Sequence, residues 1–424
     1  MGKVSLLSLG CPKNLVDSEK LLKKLEEQGI FYSSNPGEAD VLIINTCGFI
    51  ESARKESVDE ILKLSKLKGK DKKLVVFGCL AKRHGEDLRR EIPEIDALWG
   101  VGDDDGIVDY CSKIIIKTTI PGSPEKFSET SYAYLKIAEG CDKKCSYCVI
   151  PQIRGGFRSI PPDRILREAE NLIRSGKKEL ILIAQDITEY GADLKDYNLS
   201  RLIRKIASLK GDFWIRLLYL YPTSITDELI ETIASEDKVC NYIDMPLQHS
   251  ENRILQLMGR GGSRSYFEKL IAKIRHKIPG VNIRTTLIAG FPQETVAEFN
   301  SMVKFVQRIK FDRLGVFTYS KEEGSSAFKL KGQISKKIKS ERFNEIMTVQ
   351  AEISFEKNKR LVGKTYKALI DDMEDNIAVA RICSQAPEID GVVLIHDSNA
   401  EKGCFVHVKI EEAYDYDLKG CIIP

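Results

Sequence analysis

The chain has 424 residues, which at about 100 to 200 residues per domain means two to four domains and excludes a single small binding module. With 42% hydrophobic and 30% charged residues it is a globular chain able to bury several cores, neither disordered nor fibrous. Lys and Arg total 65 against 62 Asp and Glu, a net charge of +3, so no global basic excess announces nucleic acid.

Residues 1 to about 125 alternate short apolar runs with amphipathic segments. Val4-Ser5-Leu6-Leu7-Ser8-Leu9, Val41-Leu42-Ile43-Ile44 and Leu74-Val75-Val76-Phe77 read as strands. Leu21, Leu22 and Leu25, then Ile61, Leu62 and Leu64 to Leu67, recur at helical spacing, giving a βαβ pattern and a doubly wound parallel sheet. The opening run is too short and interrupted for a signal peptide. Thr118 to Thr130, with Pro121-Gly122-Ser123-Pro124, reads as a linker.

From Ala133 to about Ser320 six strands are expected, at Tyr134–Ala138, Leu180–Ala184, Trp214–Tyr219, Tyr242–Pro246, Asn282–Ile288 and Leu314–Phe317. Helices between them have candidate caps at Thr226, Ser250, Ser263 and Thr295. Six βα units are too few for a closed eight-stranded barrel and suit a partial (β/α)6 barrel with its active face at the strand C-terminal ends. Lys329 to Arg360, with nine Lys or Arg against four Glu, reads as a basic amphipathic connecting helix. Beyond it Tyr366–Ile370, Ile377–Arg381, Gly391–Ile395 and Phe405–Ile410 form an antiparallel pattern of small-barrel size. The expected division is 1–125, 132–328, 329–360 and 361–424. No segment approaches the roughly 20 apolar residues of a membrane span, and the chain reads as cytoplasmic, where thiols stay reduced and clustered cysteines bind metal or act chemically more often than they form disulfides.

Six of the eleven cysteines form two groups. Directly after the first barrel strand comes Gly140-Cys141-Asp142-Lys143-Lys144-Cys145-Ser146-Tyr147-Cys148, a C-x3-C-x2-C loop. Three thiolates on one loop can share a metal centre. Unrelated loop cysteines and a structural zinc are the bland alternatives, but a structural zinc closes with four protein ligands and no fourth Cys or His lies near in sequence. An iron-sulfur cluster held by three cysteines instead of four leaves one iron open to a substrate or cofactor. Cys11, Cys47 and Cys79 each sit at or just beyond the C-terminal end of a strand of the first domain, the edge where ligands bind in open α/β sheets. Gly10-Cys11-Pro12, Thr46-Cys47-Gly48 and Gly78-Cys79-Leu80 put small or turn residues beside each thiol. Three buried incidental thiols are the alternative here. A flavin also suits such a fold, yet no Ser/Thr-rich phosphate loop follows the first strand.

The C-x3-C-x2-C loop resembles that of the radical S-adenosylmethionine superfamily, in which S-adenosylmethionine chelates the open iron and yields a 5′-deoxyadenosyl radical that abstracts hydrogen. The barrel's part is to exclude water and position the substrate C–H bond. With three strand-end cysteines before it and a small TRAM-like β-barrel after it, the whole chain resembles the methylthiotransferases, which replace C–H by C–S–CH3. The resemblance implies two 4Fe-4S clusters and S-adenosyl-L-methionine as cofactors. By it, Cys141, Cys145 and Cys148 hold the radical cluster, and Cys11, Cys47 and Cys79 hold an auxiliary cluster that carries the sulfur. Cys111, Cys240, Cys383, Cys404 and Cys421 match no ligand of the family. Val149 to Ser159 resembles the family's I-P-x-x-R-G-x-x-R-S stretch, with Ile160 where another Arg is common. Arg154 and Arg158 are read as meeting a substrate anion or forming salt bridges about the cluster. Tyr147, Gln185, Gln248 and Gly290 are read as contacts of S-adenosylmethionine.

Within the family, Leu9-Gly10-Cys11-Pro12-Lys13-Asn14-Leu15-Val16-Asp17-Ser18-Glu19 and Ala386-Pro387-Glu388-Ile389-Asp390-Gly391-Val392-Val393 are most similar to the enzymes that modify an aspartate of the twelfth small-subunit ribosomal protein. The implied partners are that basic protein, free or on the small subunit, a reducing electron donor and a sulfur donor, with no membrane. The alternatives are a tRNA adenosine methylthiotransferase and, from another class, a non-catalytic iron-sulfur binding or electron-transfer protein. Charge provides a separate criterion. Residues 361–424 carry six Lys or Arg against twelve Asp or Glu, with Asp371, Asp372, Glu374 and Asp375 clustered, which disfavours a phosphate backbone and suits a basic protein partner.

Overall fold

The computed structural model describes residues 2–69, 71–115, 125, 127–396 and 398–423. Most of the expected linker at Thr118–Thr130 lies outside them. The first domain is a five-stranded parallel sheet of β1 (Lys3–Ser8), β2 (Phe31–Tyr32), β3 (Val41–Thr46), β4 (Lys73–Gly78) and β5 (Ala97–Trp99), in the order β2-β1-β3-β4-β5. The three expected strands form its centre. The two edge strands, two and three residues long, carry too little pattern to read. β3 is apolar along Val41 to Ile44 because helices cover both faces of a doubly wound sheet, and all four are fully buried. Pro12–Glu27 and Glu51–Leu67 are helical as expected, though Leu62 and Leu67 face solvent, so the apolar stripe there runs through Ile61 and Leu64.

The central domain contains the six expected parallel strands. They are β6 (Tyr132–Lys136, followed by β7, Ala138–Glu139, which pairs with β8, Arg158–Ser159), β9 (Glu179–Ile183), β10 (Trp214–Leu217), β11 (Tyr242–Asp244), β12 (Asn282–Ala289) and β13 (Arg313–Thr318). They pair as β10-β9-β6 and β11-β12-β13, and single bonds such as Leu220 N to Asp244 O at 2.9 Å join the two halves. Thr226, Ser263 and Thr295 cap helices as expected, Thr295 in a capping box with Glu298. Ser250 does not, because the helix after β11 starts one residue later and its cap position is Glu251.

Leu180 and Leu182 of β9 pack beneath the surrounding helices. Ile181 and Ile183, pointing the other way, join Tyr134, Trp214, Leu218 and Tyr242 on the concave side of the partial barrel. A six-stranded barrel leaves that side open, and here it is covered by Leu369, Ala386 and Phe405 of the C-terminal domain and by Val16 of the first. The C-terminal domain is a closed barrel of β14 (Thr365–Glu374), β15 (Ile377–Ile382), β16 (Val393–Ile395), β17 (Phe405–Ala413) and β18 (Leu418–Ile423). β18 is an additional strand, and it pairs with β16 in parallel.

The helix Lys336–Lys359 corrects the expectation of an amphipathic connector. Its inward stripe, Arg342, Ile346, Gln350, Ile353, Ser354 and Asn358, is mostly polar. Each polar member is bonded: Arg342 Nη1 to Glu294 Oε1 at 2.6 Å, Gln350 Nε2 to Phe311 O at 3.1 Å, Asn358 Nδ2 to Tyr414 O at 3.0 Å. The helix thus packs against the central domain and is tied to the last barrel, joining the two.

Candidate metal and cofactor site

The sheet order of the first domain sets the geometry of one cysteine triad. With β1 between β2 and β3, the chain reverses winding direction at the β1/β3 boundary, the switch point at which open α/β sheets bind ligands. Cys11 follows β1 and precedes the helix Pro12–Glu27, Cys47 directly follows β3, and Cys79 follows β4 as the first residue of the helix Cys79–Glu91. The three strand ends are adjacent, and the chain approaches itself closely there. Gly10 has φ +90°, and a Cβ on it would lie 2.6 Å from Cys47 Cβ; one on Gly48 would lie 2.8 Å from the carbonyl carbon of Cys79. Asn14, wholly buried, stitches the edge together by donating to Leu9 O at 2.8 Å and Thr46 O at 3.3 Å.

The C-x3-C-x2-C loop is held just as firmly. Ser146 donates from its backbone to Met258 O at 2.8 Å and from Oγ to Leu257 O at 2.7 Å. Cys141 N bonds Gly155 O at 3.1 Å. Two donors reach the sulfurs, Ile150 N at 3.4 Å from Cys148 Sγ and Arg260 Nη1 at 3.8 Å from Cys145 Sγ. Burial pushes the thiols of Cys79 and Cys148 up to about 12, and raises those of Cys47 and Cys141. Thiols become thiolates when a cation binds them, and three thiolates are a donor set that an iron-sulfur cluster accepts. Among the described residues no group of three or more His, Cys, Asp or Glu is placed to hold a single metal ion.

The two triads share a wall. Cys79 packs against Val149, the residue after Cys148, and against Ile153. Arg154, buried at the end of the short helix Ile150–Arg154, donates to Asn14 Oδ1 at 2.6 Å and to Asp17 and Glu139 at 3.1 and 2.9 Å. It thus serves as an internal tie between the first domain and the barrel. Arg158 is exposed, and Ile160 is partly buried against the barrel core, so the position of a third cation is given to packing. Lys136 to Asp17, and Arg54 and Arg83 to the buried Glu322 after β13, hold the first domain over the barrel mouth.

Three of the four expected cofactor contacts gather near the end of β12. Tyr147 packs with Met258, Ile288 and Phe291. Gln248, at φ 72°, exchanges backbone bonds with Thr286 and Ile288 at 2.8 Å. Gly290 donates to Glu294 Oε2 at 2.9 Å, and a Cβ there would meet Lys339. Gln185 lies apart at the end of β9, donating to Glu139 Oε1 at 3.0 Å with its own Oε1 buried and unpartnered. A cleft of about 330 Å³ beside Cys141 is lined by Asp142, Lys143, Phe157, Asp186 and Glu189. Sequence reasoning did not single out Asn14, Asp17, Glu139 or Arg260. Asn14 and Asp17 lie in the quoted stretch after Cys11, whereas Glu139 and Arg260 leave no signal in the sequence.

Residues 386–390, within the Ala386–Val393 stretch that is one of the two most similar to the ribosomal group, form a latch. Asp390 accepts from Tyr242 Oη at 2.6 Å, and Glu388 accepts from Tyr132 Oη at 2.6 Å and Tyr134 Oη at 3.3 Å. Asp371 is likewise engaged, with Arg381 and Ser131, which removes it from the free acidic surface expected of that cluster.

Family models match three parts of the chain: one described as "Uncharacterized protein family UPF0004" over residues 3–100, the radical SAM superfamily over residues 135–306, and the TRAM domain over residues 362–423. Among curated proteins, the chain is 52% identical to "Ribosomal protein uS12 methylthiotransferase RimO" of Thermodesulfovibrio yellowstonii over all of both chains. It is 45% identical to the protein of that name from Trichlorobacter lovleyi, over 98% of this chain and 97% of that one. Of solved structures, the radical S-adenosylmethionine methyltransferase TsrM from Kitasatospora setae, with cobalamin and a [4Fe-4S] cluster bound, has a TM-score of 0.56 at 13% identity, covering 75% of this chain and 72% of that one. The cobalamin-dependent radical enzyme OxsB has a TM-score of 0.53 at 12% identity, covering 83% and 56%. These likenesses show the shared fold.

Proposed function

The chain belongs to the family of ribosomal protein uS12 methylthiotransferases, and we propose that it replaces a C–H bond at the β-carbon of an aspartate side chain of that protein by C–S–CH3. It is a radical S-adenosylmethionine methylthiotransferase, using S-adenosylmethionine and 4Fe-4S clusters. The reading assigns Cys141, Cys145 and Cys148 to the radical cluster, Cys11, Cys47 and Cys79 to the auxiliary cluster, and Tyr147, Gln185, Gln248 and Gly290 to S-adenosylmethionine. When bound, these groups supply the hydrogen-abstracting radical, the sulfur and the methyl group.

What the chain contributes is placement. The contact of Cys79 with Val149 and Ile153 carries the reading, because it brings the strand-end triad beside the radical loop, and the sulfur source must lie within reach of the carbon that loses hydrogen. Asn14 and Arg154 fix that approach, and the first domain over the mouth excludes water. Arg260 and the Ile150 amide, donating toward the sulfurs, are placed to tune the radical cluster.

The proposed domains are 1–125, 132–328 and 361–424, with 329–360 between the last two. In this reading the acidic C-terminal barrel docks the basic ribosomal protein through Asp372, Glu374 and Asp375, all exposed. A reducing electron donor and a sulfur donor complete the reaction, and the cytoplasm suits the reduced thiols. Among the described residues no helix is long and apolar enough to cross a membrane. The relatives' names favour neither the tRNA nor the electron-carrier reading; the C-terminal charge weighs against the first and the open three-cysteine loop against the second.

The test separates the two triads. With Cys141, Cys145 and Cys148 replaced by Ala, S-adenosylmethionine cleavage should vanish and about half the iron remain. With Cys11, Cys47 and Cys79 replaced, reductive cleavage should persist without sulfur insertion. Methylthio product formed at the normal rate by the second variant refutes the auxiliary assignment.

A further inference from the structure

At the barrel mouth Lys13 is a buried cation without a carboxylate. Lys13, two residues past Cys11, is 8% exposed. Its ammonium donates to Ala184 O, at the end of β9, at 3.3 Å, and stands 3.6 Å from the centre of the Tyr219 ring just beyond β10. Among the described residues no carboxylate lies within ion-pair distance of it. Three other cations nearby each have one: Arg154 pairs with Asp17 and Glu139, Lys136 with the same two, and Arg284 with Asp244 at 3.1 Å. A buried ammonium satisfied by one carbonyl and a ring face is costly to keep, and an anion that arrives with the reaction would offset that cost.

The surroundings are built around this contact. Tyr219 adopts φ 67°, a left-handed conformation unusual for an aromatic residue, and it is held there by donating its amide to Asp244 Oδ2 at 2.9 Å. This presents the ring beneath the ammonium. The side chain starts in the first domain, two residues from a thiol of the strand-end triad, and ends at the C-terminal face of the barrel, so it bridges the first domain and the barrel.

We propose that Lys13 binds the carboxylate of the substrate's aspartate side chain and thereby sets specificity for aspartate. The inference rests on the reading that the substrate carbon is the β-carbon of an aspartate. In that side chain the carboxylate is bonded directly to the carbon that reacts. Pinning the carboxylate at Lys13 therefore fixes the β-carbon between the strand-end triad and the barrel mouth, and orientation of this kind is a large part of catalysis. A site built to pair with a charge rejects the uncharged isostere, because the buried partner is left alone. Asparagine, of the same shape, should then be refused.

The test uses the reconstituted enzyme, with iron content per chain measured first, and two synthetic peptides of the ribosomal protein's sequence around the modified residue, one with Asp at the modified position and one with Asn. Binding is measured with S-adenosylmethionine present and reductant absent, so that the readout does not depend on turnover. Wild type should prefer the Asp peptide by on the order of 100-fold. K13Q, with unchanged iron, should bind both within a few-fold, and K13R should retain most of the preference. A preference intact in K13Q overturns the proposal. So does a K13Q defect in S-adenosylmethionine affinity with the peptide ratio preserved, which would make the carboxylate the cofactor's, or a loss of iron, which would make Lys13 a support of the cluster. Failure of wild type to methylthiolate the Asp peptide on adding reductant would instead overturn the functional reading beneath it.

Discussion

Replacing Glu179 by Ala should loosen the C-terminal barrel from the central domain at its most buried joint. Glu179 is fully buried, with Oε1 accepting from Arg216 Nε at 2.5 Å and Oε2 2.7 Å from Arg381 Nη1 in β15. The second contact is an ion pair without hydrogen-bond alignment, since Oε2 has no hydrogen-bond partner. Both guanidiniums are as buried as the carboxylate. Breaking a buried pair by removing one partner costs about 3–5 kcal/mol. Two cations are stranded here, but Arg381 keeps Asp371, and Arg216 keeps Cys383 O at 2.8 Å and the Tyr242 ring at 4.7 Å. The lower end of the range, about 3 kcal/mol, is therefore expected, and at about 2–4 °C per kcal/mol that is a fall in Tm of roughly 6–12 °C. Calorimetry at neutral pH on Glu179→Ala, Arg216→Met and the double variant measures it. A Tm within about 2 °C of wild type, or a double variant equal to the sum of the singles, would refute the clamp.

The same carboxylate gives this joint a pH dependence. Burial pushes the Glu179 carboxyl up, but Arg216 and Arg381 more than reverse that and hold it below the ordinary carboxylate range. A depressed native value means that its contribution is complete above the unfolded-chain pKa and is lost as pH falls through the native one. The acid limb of stability should accordingly flatten in Glu179→Ala.

Charge reversal of Asp372, Glu374 and Asp375 to Lys should weaken ribosomal-protein binding about tenfold at low salt and much less at high salt, where screening removes the attraction. Titration at two ionic strengths checks it, and equal affinity at low salt would remove the barrel from recognition. Asp371 is left out because its largely buried ion pair with Arg381 would confound the result, whereas the pair of Asp372 with Lys402 is exposed and worth little. Gly10→Ala places a Cβ 2.6 Å from Cys47 Cβ at a positive φ, so the reconstituted variant should lose about half its iron while still cleaving S-adenosylmethionine. Full iron content would show that the triad tolerates a wider approach than the fold implies.

Much of this architecture was legible because its signals are local. The runs at Val41–Ile44 and Leu180–Ala184 are buried strands whatever surrounds them, and a cysteine at the end of each of three neighbouring strands converges with the others by topology alone. The features that escaped depend on contacts distant in sequence. Phe31–Tyr32 and Ala97–Trp99 are edge strands made by pairing with β1 and β4, and β18 is specified by closure of the barrel. The inward stripe from Arg342 to Asn358 looks exposed in sequence because it is polar, and only Glu294, Phe311 O and Tyr414 O make it a buried face. Asp371 read as surface charge for the same reason. Lys13 was legible as part of a family-like stretch, but its burial against Tyr219 required the first domain to be seated on the barrel.

The most direct measurement incubates the reconstituted enzyme with S-adenosylmethionine, a reductant and a sulfide source, supplying purified uS12 ribosomal protein and unmodified tRNA in separate reactions, and analyses both by mass spectrometry. The account predicts a methylthio group on a single aspartate of the ribosomal protein and none on the tRNA. Modification of the tRNA with the ribosomal protein unchanged would contradict it.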